Sequence, residues 1–197
     1  INSVPKACKN GEFYFQLQPK VSLLTGKIEG AEALVRWKTQ KGEIMQPGKF
    51  IPPLEKNGLI TQIDFYLYRD VCRYIQTCFN NGYKVPVISL NVSRKHLANN
   101  DFIQQVLDLV SYYNIPPSIL EFEITESVFL ENSMQAINTF SGLRKQGFKV
   151  SIDDFGSGYS SLNMLKDLEI DVLKLDKAFL DDSNSTGKNE VIISSMI

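Results

Sequence analysis

The sequence predicts an α/β fold on a largely parallel sheet, open or closed into a barrel, and three observations carry that prediction. Short β-rich runs alternate with stretches of helical periodicity along the chain, the pattern of repeated βα units. The helical stretches end at strong breakers, Gly82, Pro116-Pro117 and Gly147. Ionisable or amide side chains recur at or near the C-terminal ends of the strands, the ends that converge on one face of a parallel barrel or sheet.

In chain order, strands are expected at Phe13 to Gln18, Ile28 to Trp37, Pro86 to Val92, Leu120 to Ile124, Val150 to Asp153 and Val172 to Leu175. Helices are expected at Thr61 to Asn81, Asp101 to Tyr113, Ser133 to Gln146 and Ser160 to Lys166, the last capped by Ser160-Ser161. Asp181 to Asn189 reads as a polar loop, and Val191, Ile192, Ile193, Met196 and Ile197 open another apolar helical pattern. A start at Ile1 and an end inside that pattern lead us to expect a piece of a longer protein. Residues 1–12 read as a flank and 13–197 as one domain cut at its C-terminus.

The chain has 197 residues, 43% of them apolar, and a formal charge of −1. That length supports a hydrophobic core, and the balanced charge offers no basic footprint for a nucleic-acid polymer or a membrane surface. No run approaches the roughly 18 apolar residues of a membrane span. The three cysteines (Cys8, Cys72, Cys78) lack both a complete disulfide framework and zinc-site spacing, so Cys72 and Cys78 read as buried thiols of a reducing cytoplasm. His96 is the only histidine and is expected on the surface at a helix start. A zinc site built on several imidazoles is therefore excluded, and no Ser sits in the nucleophile elbow that a Ser-His-Asp triad would use. Any metal or acid–base chemistry must rest on carboxylates.

The strands supply them. Glu32 shares a strand face with Leu34 and Arg36, opposite Ala31, Ala33, Val35 and Trp37. Asn91, Glu123, the pair Asp153-Asp154, and Lys174 with Asp176 interrupt the later strands near their C-terminal ends. Such a convergence of acids repels itself unless a cation sits among them, and Lys174 alone is an under-sized counter-charge. Oxygen ligands without imidazole or thiolate select Mg²⁺, Mn²⁺ or Ca²⁺, in a site of one or two ions. Asp154-Phe155-Gly156-Ser157-Gly158-Tyr159-Ser160-Ser161 then turns from strand to helix. It is neither a Walker A loop nor a dinucleotide fingerprint, and Asp-Phe-Gly without a kinase catalytic loop excludes a kinase.

Taken in order, Gln18-Pro19, Glu32-Ala33-Leu34-Val35-Arg36-Trp37, Phe50-Ile51-Pro52, Gly58-Leu59-Ile60, Asn91-Val92-Ser93, Glu123-Ile124-Thr125-Glu126, Asp153-Asp154-Phe155-Gly156 and Lys174-Leu175-Asp176 resemble the motif blocks of the EAL-domain family, the cyclic di-GMP phosphodiesterases. The resemblance implies a TIM-like (β/α)8 barrel, with the last two strands, and the later acidic and glutamine blocks they carry, lacking here. It implies that Glu32, Asn91, Glu123 and Asp153 ligate one divalent cation and that Asp153 and Asp154 hold a second. Mg²⁺ or Mn²⁺ are the expected ions, with Ca²⁺ inhibitory. It implies that Lys174 positions the attacking water and that Glu126 holds the loop from Asp154 to Ser161. Gln18 and Arg36 would contact the dinucleotide, and Asp176 would support the lysine and metal region. The implied reaction is hydrolysis of cyclic di-GMP to linear pGpG in a cytoplasmic bacterial signalling protein, fused to sensory or GGDEF domains and able to dimerise. A receptor of the same fold that binds without hydrolysing, and an interaction module, are the alternatives.

Overall fold

A computed structural model describes residues 4–156 and 169–177. The chain builds one mixed sheet with strand order β1-β2-β4-β5-β6-β7, and the two-residue β3 (Ile44–Met45) pairs only with β2. β1 (Phe13–Val21) and β2 (Ile28–Lys38) form an antiparallel hairpin. From β2 onward the path is parallel through β4 (Val87–Asn91), β5 (Leu120–Thr125), β6 (Lys149–Phe155) and β7 (Val172–Leu175). The family of parallel strands with intervening helices is that of a TIM-like barrel. Pro19 is tolerated inside β1 because that strand lies at the end of the described sheet order, where a missing N–H breaks no ladder on its outer side.

The helices lie in the connections. α3 (Ile60–Asn80) follows the hairpin and precedes β4; α5 (Phe102–Tyr112) leads to β5, and α7 (Ser133–Lys145) to β6. Their apolar stripes close on the strands in a core that includes Val71, Ile75, Phe102, Phe122, Phe140 and Ile152. Gly142 of α7 lies against α5, where a Cβ would stand 2.4 Å from Ile103 Cδ1. No helix among the described residues is long and apolar enough to cross a membrane.

Several local expectations needed correction. The segment before Phe13, read as a flank, forms α1 (Val4–Lys9), whose Val4 and Ala7 are buried against Phe13, Phe50 and Ile63. α2 (Pro47–Lys56) was hidden by Pro52-Pro53, which remove two backbone donors; Phe50 and Leu54, buried in the same cluster, hold it instead. His96 is not on the surface. It sits in the one-turn α4 (Arg94–Leu97), fully buried, stacked 4.6 Å from the Phe102 ring, with Nε2 2.9 Å from Asp64 Oδ2. A single turn cannot offer a wet face to every side chain, and the polar partner on α3 makes the burial tolerable. Cys72 is buried and Cys78 half-buried, and all three thiols are free. The expected helix Ser160 to Lys166, the loop beyond Gly156 and the segment from Asp181 onward lie outside the described residues.

Candidate metal centre

The strand register brings the predicted residues together. Asn91 of β4 stands opposite Glu123 of β5, Ser89 opposite Glu32 of β2, and Asp153 of β6 opposite Thr125. Oxygens of Glu32, Glu123 and Asp153 lie within 4.8 Å of one another, close enough to share a cation. Lys174 of β7 reaches into them, with Nζ 3.0 Å from Glu32 Oε2, 2.7 Å from Glu123 Oε2 and 2.6 Å from Asp153 Oδ2. Asn91 Nδ2 donates to Glu32 Oε1 at 2.9 Å, which fixes the amide with its own oxygen free of that bond.

Three carboxylates against one ammonium leave the group acidic. Burial, joined by the charge of Glu32, pushes the Glu123 carboxyl up to about 7, against the pull of Lys174. Burial alone would lower the Lys174 ammonium, but the hydrogen bonds it donates to Asp153, Glu123 and Glu32 outweigh it and hold that group above the ordinary lysine range. Glu123 Oε1 is buried and has no hydrogen-bond partner among the described residues. Its nearest charge is the Lys20 ammonium, 3.8 Å away. The carboxylate oxygens gathered around Lys174 Nζ, Glu123 Oε2 among them, are an all-oxygen donor set that fits a hard divalent cation.

Asp154 follows Asp153 in a left-handed backbone conformation (φ 55°), where the ladder between β6 and β7 shifts register. Aspartate tolerates that region better than most residues because its short side chain bonds the local backbone. Burial and the neighbouring Asp153 and Asp176 charges raise its carboxyl. Asp176, just past β7, donates its N–H to Phe155 O at 3.0 Å. Glu126 opens α6 (Glu126–Glu131), which Thr125 caps by accepting the Val128 N–H at 3.4 Å. The Glu126 carboxylate accepts the Gly156 N–H at 2.8 Å, so it grips the start of the turn that follows the carboxylate pair.

A cavity of about 510 Å³ opens beside the cluster, lined by Glu32, Asn91 and Glu123 together with Arg36, Asp64 and Tyr68. Arg36 donates from Nε to Gln16 Oε1 at 2.8 Å and from Nη1 to Val35 O at 2.9 Å, which holds the guanidinium flat against the hairpin. Gln18 is exposed on β1 directly opposite Glu32, and with Arg36 it lines a second hollow of about 450 Å³. Behind Asn91, Tyr68 donates to its carbonyl at 2.7 Å, and Asp64 accepts from His96 and from the Ser93 backbone. Sequence reasoning passed over Asp64, Lys20, Glu121, Ser89 and Ser151. Strand alternation carried a signal for the last three, because Ser89, Glu121 and Ser151 share faces with Asn91, Glu123 and Asp153.

Comparison with known proteins agrees with this geometry. The chain is 37% identical over 192 residues to the signaling protein YkoW of Bacillus subtilis, covering 98% of this chain and 24% of that protein. It is 30% identical over 197 residues to the bifunctional diguanylate cyclase/cyclic di-GMP phosphodiesterase MucR of Pseudomonas aeruginosa, of which it spans 29%. The chain thus spans less than a third of the length of these relatives. The solved MucR phosphodiesterase in complex with c-di-GMP superposes with a TM-score of 0.87 at 31% identity, covering 98% of this chain and 78% of that one. A family model described as the EAL domain matches residues 1–197. Sheet order, acid cluster and family match lead to one conclusion: this chain belongs to the EAL domain family.

Proposed function

We propose that this domain hydrolyses one phosphodiester bond of cyclic di-GMP, giving linear pGpG, with divalent cations bound at the acid cluster. The observation that carries the reading is the meeting of Glu32, Glu123 and Asp153 oxygens within 4.8 Å of one another, three carboxylates gathered around the Lys174 ammonium. Relatives named as cyclic di-GMP phosphodiesterases over nearly the whole chain support the substrate.

In this reading Glu32, Asn91, Glu123 and Asp153 hold one ion, and Asp153 with Asp154 a second, Mg²⁺ or Mn²⁺ by the hardness of their oxygens. When bound, such ions lower the pKa of a water and offset the charge of the phosphate. Lys174, which already touches three of the acids, orients the water with its ammonium protons. Arg36, pre-ordered by Gln16, turns its remaining donors toward a phosphate oxygen, and Gln18 contacts the dinucleotide beside it. Glu126 keeps the chain after Asp154 in place through Gly156, and Asp176 steadies the same corner from β7. The free thiols and a nucleotide substrate fit a cytoplasmic module of a longer signalling protein.

Incubation with cyclic di-GMP and Mn²⁺ or Mg²⁺ tests the proposal by following pGpG. Metal-dependent product is expected from the unaltered protein and none from Glu32→Ala or Asp153→Ala. Substantial hydrolysis by either variant overturns the site assignment. Binding without product identifies a receptor, and no binding identifies an interaction module.

A further inference from the structure

One layer below the acid cluster lies a second polar group that the proposed reaction does not use. Glu121 Oε1 accepts three hydrogen bonds, from Lys20 Nζ at 3.0 Å, Ser89 Oγ at 2.8 Å and Ser151 Oγ at 3.1 Å. Lys20 also donates to Ser89 Oγ. Four strands, β1, β4, β5 and β6, thus send one side chain each to a single buried point. Lys20 reaches it by crossing Gly30, its partner on β2. A Cβ at Gly30 would lie 3.5 Å from Lys20 Cδ and 3.2 Å from the Val87 carbonyl oxygen, so the bare glycine leaves room for the lysine stem. The stem therefore runs inward, and the half-buried ammonium reaches Glu121 and Ser89.

From there Lys20 Nζ stands 3.8 Å from Glu123 Oε1, the buried oxygen with no hydrogen-bond partner among the described residues. The other oxygen, Oε2, accepts from Lys174 at 2.7 Å. Glu123 is held between two ammonium groups, one facing each of its oxygens.

We propose that Lys20, anchored by Glu121, is a positioning residue that holds the Glu123 carboxylate with Oε2 turned toward Glu32 and Asp153, and so sets how tightly the acid cluster takes a divalent ion. The proposal rests on the metal-dependent reading above. Lys20 acts on Glu123 Oε1 by its charge across 3.8 Å, and Glu121 fixes where that charge sits. Loss of partners that orient a metal ligand typically weakens metal affinity about 10- to 100-fold.

The test is the charge-neutral double replacement Lys20→Met/Glu121→Gln, titrated with Mn²⁺ by calorimetry without substrate. The Kd for Mn²⁺ is expected to rise at least about tenfold. In turnover, kcat at fixed Mn²⁺ should fall while KM for cyclic di-GMP stays unchanged. Thermal melting in EDTA verifies that the variant folds. Wild-type Mn²⁺ affinity in a folded double variant overturns the inference, because the pair then only fills the interior. If the double variant does not fold, Lys20→Gln decides it, with the same weakening expected and unchanged affinity again overturning. A wild-type protein that binds Mn²⁺ but makes no pGpG refutes the proposed reaction alone, and calorimetry of the variants still decides this point. Failure of the wild type to bind Mn²⁺ refutes both.

Discussion

Lys174 is the residue on which the charge balance of the centre turns. Its ammonium touches three carboxylates, two of them partly exposed and one fully buried. In EDTA, Lys174→Met leaves those acids facing one another with no cation from β7. Removing one partner of a largely buried ion group is strongly destabilising, and the partial exposure here reduces the expected loss to about 2–4 kcal/mol. Saturating Mn²⁺ should recover most of it, read as thermal melts with and without metal. A variant as stable as the wild type in EDTA would show that the ammonium is not the counter-charge. At this scale much of the centre was legible in the sequence: Asn91, Glu123, Asp153 and Lys174 interrupt apolar strands near their C-terminal ends, Glu32 sits on one face of its strand with Arg36, and the structure brings all five together. Lys20 and Glu121 were not legible as part of it. Alternation reveals the face on which a strand residue lies but not its depth below the rim, and a strand lysine ordinarily reads as solvated.

α3 shows what an element contributes beyond its own length. It buries Ile63, Leu67, Val71, Cys72 and Ile75 and carries Asp64 and Tyr68 to the back of the Asn91 turn. Burial pushes the Cys72 thiol up to about 12 and Tyr68 well above the usual phenol range. A thiol that stays protonated is a poor nucleophile, so Cys72 should remain silent to a thiol reagent at pH 8 until denaturant is added. Labelling of Cys72 in the native protein would contradict that. The linkage has a definite sign. An unfolded thiol ionises near 9.0, whereas the folded one holds its proton to about 12, so between these values the native state binds more protons. Stability therefore falls as pH rises through that window, by up to about 1.4 kcal/mol per pH unit from this group. Denaturant titrations at pH 8 and above measure the trend. The long helices and the main strands were readable because their apolar periods and glycine stops agree. α1 and α4 were too short to show a period, and α2 carries two prolines that argue against any helix until Phe50 and Leu54 find their core.

Over the whole molecule, the centre draws on β2, β4, β5, β6 and β7, so an ion bound there ties most of the sheet together. Binding to the folded state alone should stabilise the protein by about 2.7 kcal/mol at Mn²⁺ concentrations one hundred times Kd. The melting temperature should rise with Mn²⁺ in wild type and not in Glu32→Ala, as scanning calorimetry can establish. An unchanged melting temperature in wild type would mean that the cluster takes no ion. The order in which such a centre can form also follows from the bond between Lys174 and Glu32, which joins residues 142 positions apart. Contacts that close so long a loop form late, after nearer strand pairs have cut the entropy of bringing the ends together. A site completed after the folding barrier has been crossed cannot speed the crossing; it can only delay the return. Stopped-flow experiments should accordingly find that Mn²⁺ slows unfolding and leaves the refolding rate unchanged. The cluster then acts as a latch closed last on the assembled sheet, and the ion governs the lifetime of the native state more than the speed of reaching it.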